Sequence, residues 1–217
     1  MIAVIGGTGA QGKGLVARWA RAGEEVIIGS RFEEKAKRVA AEVSKCVGKP
    51  VMGTTNLEAT READVVVLSV PFEAMRKIMR EIRRGLTPGK ILLNVVVPIE
   101  VRSGEVVFKR PRAGSTGEEL AKLVPKGVRV VSAFQTVGAK LLQDLSKPLD
   151  CDVVVCGDDP AAKERIMKLV EKMPGARAVD GGPLRNGRFV EPLVALLAEL
   201  TKRYRVEAVG VRFQGLG

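Results

Sequence analysis

The sequence predicts an α/β protein with a Rossmann-type, doubly wound and mainly parallel sheet, followed by a small C-terminal α/β domain. Short runs rich in Val, Ile and Leu alternate with amphipathic segments of helical period. A glycine-rich turn joins the first apolar run to the first helical segment. Several apolar runs are continuous rather than alternating, as is typical of parallel strands buried on both faces.

The elements of the larger domain follow one another in strict alternation. Strands are predicted at 2–5, 25–28, 51–53, 64–70, 90–97 and 128–133. Helices are predicted at 11–22, 33–47, 57–62, 73–84 and 116–123. Residues 98–115 form a long polar connection, which is either a disordered surface loop or a loop that closes over a ligand.

The order of elements changes beyond this unit. A strand at 152–156 leads to a helix ending near Met173, with an Asp at the N-cap and Pro160 at the first helical position. A strand at 177–180, a long helix at 184–204 and a strand at 208–213 follow. We therefore assign residues 1–144 to a dinucleotide-binding Rossmann domain and residues 145–217 to the smaller domain.

Composition narrows the classes of function. The chain of 217 residues has no histidine, which argues against a metal site and against Ser-His catalysis. Its net charge of +11 is dispersed and aromatic residues make up only 4%, so a polyanionic small molecule is favoured over nucleic acid. No apolar run is long enough to span a membrane, and we expect a cytoplasmic protein. Asn and Gln are sparse, which points to a thermophilic source.

The glycine-rich turn predicts a dinucleotide site. Gly7, Gly9 and Gly12 match G-x-G-x-x-G between an N-terminal strand and a helix. In this motif the first glycine permits a tight turn, the second admits the pyrophosphate and the third allows close packing of helix on strand. Backbone N–H groups at the start of the helix then face the phosphates. The candidate binding residues here are Gly7, Thr8, Gly9, Ala10, Gln11 and Gly12.

The end of the second strand predicts which dinucleotide is bound. NAD-binding proteins carry Asp or Glu there for the ribose 2′-hydroxyl, whereas this chain has Ser30 and Arg31, with Lys35 one helical turn later. A hydroxyl, a guanidinium and an ammonium suit a 2′-phosphate, which indicates NADP. Val70 and Pro71, with Val97 and Pro98, end two later strands at the same sheet edge; they either contact the cofactor or only end the strands.

Motifs along nearly the whole chain resemble one family. The segments concerned are Gly6-Gly7-Thr8-Gly9, Gly29-Ser30-Arg31, Val131-Ser132-Ala133, Val155-Cys156-Gly157-Asp158-Asp159, Gly182-Pro183-Leu184 and Arg188-x-Val190-Glu191. They are similar to archaeal and actinobacterial NADPH-dependent reductases of coenzyme F420, an 8-hydroxy-5-deazaflavin. The resemblance implies a cytoplasmic homodimer that transfers hydride between NADP(H) and F420. No side chain is then needed as a catalytic acid or base, because the stacked rings exchange hydride directly.

The resemblance also implies roles for residues of the second half. Val137 and Ala139 would lie near the nicotinamide and Val209 against the deazaflavin. The family typically shows His-Thr-Ile-Pro where this chain has Gln135-Thr136-Val137-Gly138, and Ser and Thr where it has Pro192 and Val194. An amide can donate and accept hydrogen bonds as a neutral imidazole can. Gln135 therefore either binds the second ring or is a polar residue at a strand end without ligand contact.

Two alternatives to a deazaflavin reductase remain at this stage. The hydride acceptor can be FMN, FAD or a ferric complex, as in the related cytosolic domains of transmembrane ferric reductases. The chain can also be a NADP-binding redox sensor or partner protein without turnover.

Overall fold

A single mainly parallel sheet organises the chain. The computed structural model describes residues 1–102 and 105–216. Eight strands of the described chain form the sheet in the order β10-β9-β8-β5-β4-β1-β2-β3. They are β1 (Ile2–Ile5), β2 (Val26–Ser30), β3 (Met52–Thr55), β4 (Val65–Leu68), β5 (Ile91–Asn94), β8 (Arg129–Ser132), β9 (Cys151–Gly157) and β10 (Ala176–Asp180). All neighbouring pairs are parallel except β8 with β9.

Helices cover both faces of the sheet, as the alternating pattern predicts. They are α1 (Ala10–Arg21), α2 (Glu33–Val47), α3 (Asn56–Glu62), α4 (Phe72–Ile82), α5 (Thr116–Ala121), α6 (Ala139–Gln143), α7 (Pro160–Glu171), α8 (Gly187–Val190) and α9 (Leu193–Tyr204). One apolar core lies under α1, α2 and α7 and a second lies under α3 and α4. The predicted cap of α7 is confirmed: the Asp159 side chain accepts from the Ala162 N–H, and Pro160 begins the helix.

The strand order reverses direction between β1 and β4. From β1 the chain proceeds outward to β2 and β3, then returns to the other side of β1 with β4 and β5. In doubly wound sheets the crevice at the carboxyl ends of such a pair is where ligands bind. Strands β1 and β4 end at Ile5 and Leu68, so the glycine-rich turn and Ser69-Val70-Pro71 meet at this crevice.

Three predictions about the second half of the chain are wrong. The connection 98–115 contains an antiparallel hairpin of β6 (Ile99–Arg102) and β7 (Glu105–Phe108), while Ser103 and Gly104 lie outside the described residues. The predicted helix 184–204 is interrupted before α9, because Pro192 has no N–H to continue it. Residues 208–213 form no strand, although the Asp152 N–H donates to the Val211 carbonyl at 2.7 Å.

The C-terminal residues extend the Rossmann sheet instead of forming a second sheet in the described chain. Strand β9 pairs with β8, with Ser132 opposite Cys156, and β10 pairs with the other edge of β9. Trp19 of α1 joins the two halves from inside the core. Its indole N–H donates to the Leu169 carbonyl of α7 at 3.0 Å, and its ring packs edge-on against Phe134 at 5.7 Å between ring centres.

Arg18 ties α1 to the segment that follows α6. Its buried guanidinium donates to the carbonyls of Leu141, Leu142, Asp144 and Lys147 at 2.7 to 3.2 Å. Burial lowers the pKa of Arg18 from its ordinary value, since the surroundings supply carbonyl dipoles rather than bulk water. These four bonds fix the chain just beyond α6, whose first residue is Ala139.

Replacing Arg18 tests how much of the stability depends on this anchor. Arg18→Met keeps the apolar stem but leaves four carbonyls without their donor, so we expect the free energy of unfolding to fall by about 3 kcal/mol. Arg21→Met is the matched control, because Arg21 is exposed and donates only to the Leu145 carbonyl; we expect a loss below about 1 kcal/mol. Urea unfolding measures both. Equal effects would mean that Arg18 is no special anchor.

Candidate functional site

Three cavities join end to end along the carboxyl edge of the sheet. The basic cavity, of about 210 Å³, lies beside Ser30, Arg31 and Lys35. The central cavity, of about 460 Å³, shares Gly9, Ser69, Val70 and Pro71 with it. The outer cavity, of about 320 Å³, shares Gln135, Gly138, Ala139 and Val194 with the central one. Through these shared residues the three cavities adjoin one another, and together we call them the cleft. The cleft runs from β2 to the chain after α9, residues 205–216, which we call the C-terminal segment.

The glycine-rich turn has the geometry of a phosphate cradle. A Cβ on Gly12 would lie 2.7 Å from the Gly7 Cα, so helix α1 approaches the turn more closely than a side chain allows. A Cβ on Gly9 would meet only the Gly6 carbonyl, at 3.4 Å, and would otherwise project into the cleft. Helix α1 has no acidic residue in its first turn and no side-chain cap, so its first N–H groups remain available to an anion.

The basic cavity presents two positive charges next to a buried hydroxyl. Ser30 ends β2, and its hydroxyl accepts from the Phe32 N–H at 3.2 Å. Arg31 and Lys35 are exposed, and within residues 1–102 and 105–216 neither forms an ion pair. The Arg31 guanidinium lies 6.0 Å from the centre of the Phe32 ring. Both cations are therefore free to bind an anionic group in the cavity.

The central cavity is mostly apolar. Its wall includes Val70 and Pro71 after β4, Val95 and Val97 after β5, and Val137 in the turn before α6. Glu73, exposed in the first turn of α4, is the one ionisable residue of this described wall. Such a wall offers water few hydrogen bonds and has one exposed carboxylate, so it suits the transfer of a hydride better than acid–base chemistry.

Gln11 connects the dinucleotide turn to the opposite wall. Its side-chain N–H₂ donates to the carbonyls of Phe134 at 3.3 Å and Val137 at 3.2 Å. Phe134 has a φ of 69°, an unfavourable backbone conformation for a residue with a Cβ. The Gln11 amide and the packing of Phe134 on Trp19 hold this turn in place. The position of Val137 is thereby coupled to the first turn of α1.

Gln135 lies between the central and outer cavities. It is 5% exposed, and its side-chain N–H₂ donates to the Asn94 main-chain carbonyl at 3.0 Å. In the described chain no donor reaches its side-chain carbonyl. Gln135 therefore has one N–H and a carbonyl left to bind a ligand at the point where the two cavities meet.

The outer cavity is closed by the C-terminal segment. Val209 and Ala208 line it opposite α9, where Leu197 and Thr201 contribute. This segment is held by Asp152, which accepts two hydrogen bonds from Arg177 and one from the Phe213 N–H. The Arg177 guanidinium lowers the pKa of the buried Asp152 carboxyl. The position of Val209 thus depends on an ion pair at the far end of β9.

Most residues predicted from the sequence lie along this one cleft. The basic and central cavities include Thr8, Gly9, Ala10, Gln11, Ser30, Arg31, Lys35, Val70, Pro71, Val97, Gln135, Val137 and Ala139, and Val209 lies in the outer cavity. Gly7 and Gly12 form the turn behind the wall. Pro98 is buried outside the three cavities, and its carbonyl accepts from the Lys109 N–H at the base of the β6–β7 hairpin. Sequence reasoning noted Gly138 and Val194 only as departures from the family pattern, and it missed Ser69 and Ala208.

None of the helices in residues 1–102 and 105–216 combines the length and apolar character needed to cross a bilayer. Across the same residues, no three acidic or cysteine side chains group closely enough to bind a metal ion.

Known proteins resemble this chain over its whole length. A family model for coenzyme F420-dependent NADP oxidoreductases matches residues 1–98. The F420-dependent NADP reductase of Methanothermobacter thermautotrophicus is 42% identical, with 99% of this chain and 95% of that protein covered. That of Methanocaldococcus jannaschii is 36% identical, with 99% and 98% covered.

Solved structures share the fold. A crystal structure from Arthrobacter sp. FB24, described as a candidate F420-dependent NADP-reductase, aligns with a TM-score of 0.83. It is 24% identical, and the alignment covers 98% of each chain. At that level of identity the likeness concerns the fold alone. The identity to the two archaeal reductases, over nearly the full length of both partners, places this chain in the F420-dependent NADP reductase family.

Proposed function

We propose that this protein is an oxidoreductase that transfers hydride between NADP(H) and coenzyme F420. The observation that carries the proposal is the shared wall of the central and outer cavities at Gln135, Gly138, Ala139 and Val194. Two planar rings, one entering from each side, can meet there in van der Waals contact. When both are bound, C4 of the nicotinamide and C5 of the deazaflavin supply the redox chemistry.

NADP fits the two cavities with its 2′-phosphate end in the basic cavity and its nicotinamide end in the central cavity. Arg31 and Lys35 bind the 2′-phosphate, and the first N–H groups of α1 bind the pyrophosphate across the open face of Gly9. The apolar wall of Val70, Pro71 and Val137 then receives the nicotinamide. The same residues align the ring towards the outer cavity, so orientation is the main catalytic contribution of the protein.

The second cofactor occupies the outer cavity, between α9 and the C-terminal segment. Gln135 binds a polar edge of its ring through the remaining N–H and the side-chain carbonyl, while Val209 packs on its face. In this arrangement residues 1–144 hold NADP, and residues 145–217 complete the site for F420. In this proposal no side chain acts as acid or base, because the hydride passes directly between the two rings.

We also propose that the protein is a cytoplasmic homodimer. Phe189, Leu196 and Tyr204 are 75%, 55% and 69% exposed, and no residue of α9 is buried. Apolar side chains concentrated on one region of a surface are typical of a protein interface. A second copy of the chain covers this region beside the outer cavity.

We further propose a thermophilic source for the protein. The scarcity of Asn and Gln in the sequence supports this proposal.

Arg31 provides the test of cofactor choice. We expect NADP to bind at least about tenfold more tightly than NAD, because one charge-assisted hydrogen bond contributes about 1.5–3 kcal/mol. Arg31→Ala should weaken NADP about tenfold and leave NAD within about twofold, since only the 2′-phosphate contact is lost. Arg38→Ala is the matched control: this exposed arginine lies on α2, close in sequence to Arg31, but does not line the basic cavity. Calorimetric titration measures all affinities. Equal wild-type affinities for NAD and NADP would contradict the assignment.

Turnover with three acceptors tests the function itself. The purified protein is mixed with NADPH and F420, FMN or ferric citrate, and NADPH absorbance is followed. We expect rapid oxidation with F420 and little with the other two. Oxidation with FMN or ferric citrate alone would identify a flavin or ferric reductase of the same fold. A protein that binds NADPH and turns over none of the three would be a redox sensor, and the proposal would be wrong.

A further inference from the structure

A chain of buried polar side chains runs from α8 to the wall of the cleft. Glu191, Thr116, Asn94, Ser132 and Gln135 are each no more than 5% exposed. A network of this kind is costly to bury unless its groups are paired. Its fully buried side-chain polar atoms have partners within the described residues, whereas Gln135, at the wall of the cleft, keeps one N–H and its carbonyl free. One end of the network lies outside the cleft, and the other is Gln135 at the meeting point of the central and outer cavities.

The first link joins Glu191 to Thr116. The Thr116 N–H donates to the Glu191 carboxyl at 2.9 Å, and the Thr116 hydroxyl donates to Glu191 Oε1 at 2.7 Å. The second link joins Thr116 to Asn94, whose side-chain N–H₂ donates to the Thr116 hydroxyl at 2.8 Å and to the Ser132 hydroxyl at 3.0 Å. Both hydrogens of the Asn94 amide are therefore used, which fixes its orientation.

Asn94 then controls two parts of the cleft wall. Its side-chain carbonyl accepts from the Val96 N–H at 3.0 Å, between Val95 and Val97 of the central cavity. Its main-chain carbonyl accepts from the Gln135 side chain at 3.0 Å. We propose that Glu191 is a positioning residue for the reaction, acting through Thr116 and Asn94 on Gln135 and on the main chain around Val96. This inference rests on the proposed function only for its effect on F420.

The network has two hydrogen-bonded states. When Glu191 is ionised, the Thr116 hydroxyl donates to it. When Glu191 is protonated, the acid can donate to the Thr116 oxygen, and the hydroxyl turns to the Val96 carbonyl, which lies 3.2 Å away. Thr116 has a single hydroxyl proton, so the two states exclude each other. The protonation of Glu191 thus decides whether the Thr116 hydroxyl holds the Val96 carbonyl.

The surroundings of Glu191 bring this change into the neutral range. Burial raises the pKa of Glu191 to about 7, although the hydrogen bonds from Thr116 and Gly117 oppose the shift. The titratable groups that face it are Glu118 of α5, which raises the pKa further, and Cys156 of β9. Arg188 of α8 pairs with Glu118 at 2.6 Å. The native state binds the proton more readily than the unfolded chain, so the stability from this group is lost as pH rises towards about 7.

Nuclear magnetic resonance of the cofactor-free protein tests the coupling directly. The Gln135 side-chain amide, identified by its loss in Gln135→Met, and the Val96 main-chain amide are followed from about pH 5.5 to 8.5. We expect both to shift with a common midpoint near pH 7, the pKa of Glu191. Glu191→Gln should abolish the shift. Glu119→Gln should retain the shift. Glu119 is a buried carboxylate on α5, the helix of Thr116, but it pairs with Arg76 and not with Thr116.

Thr116 separates coupling from mere folding. Thr116→Val keeps the N–H bonds to Glu191 but removes the hydroxyl, so the Gly117 amide should still titrate while Gln135 no longer does. Thr116→Ser should restore the shift at Gln135. In turnover, Glu191→Gln and Thr116→Val should raise the KM for F420 about tenfold, with the KM for NADPH within about twofold.

Two results would overturn the inference: a Gln135 amide that does not titrate in the wild type, or one that still titrates in Thr116→Val. If Glu191→Gln does not fold, the wild type and the Thr116 variants decide. A wild type that fails to oxidise NADPH with F420 would refute the proposed function but leave the magnetic resonance test intact.

Discussion

The close approach of the first turn to the end of β4 is the constraint on which the cleft depends. Gly6 has a φ of 81°, and a Cβ there would lie 2.1 Å from the Ser69 carbonyl. Only glycine fits, so the turn can lie against Ser69 and direct helix α1 over the crevice between β1 and β4. Every other wall of the cleft is placed relative to this contact. Gln11, two residues into α1, reaches across the cleft to hold the turn that carries Gln135 and Val137.

The C-terminal third of the chain completes the outer cavity by extending this framework. Strand β9 pairs antiparallel with β8. Its buried Asp152 holds the chain at Phe213, both directly and through Arg177. Those residues close the outer cavity with Ala208 and Val209. Trp19 of α1 donates to the Leu169 carbonyl of α7, and Arg18 donates to carbonyls of the segment that follows α6. The helix that begins at the glycine-rich turn therefore joins the two halves of the chain.

Local patterns made much of this structure predictable. The glycine turn, the basic end of β2 and the alternation of strands and helices are short-range features, and the structure contains them all. The Pro192 break was visible in the sequence but was outweighed by the apolar period around it. The β6–β7 hairpin escaped prediction because its strands are only four residues long and at most partly buried, within a connection that is otherwise rich in Arg, Gly and Ser. The hydrogen bonds of Gln11 to Phe134 and of Glu191 to Thr116 could not be predicted, because these partners lie 123 and 75 residues away in the chain.

Direct hydride transfer between two rings stacked in an apolar cleft is the central claim, and isotope tracing tests it most directly. NADPH dideuterated at C4 is oxidised with F420 in ordinary water, and the reduced deazaflavin is analysed by mass spectrometry. Direct transfer between the two rings predicts one deuterium in each product molecule, at C5 beside the hydrogen that C5 already has. A product without deuterium at C5 would contradict the claim, because the transferred hydrogen would then have exchanged with water on its way between the two cofactors.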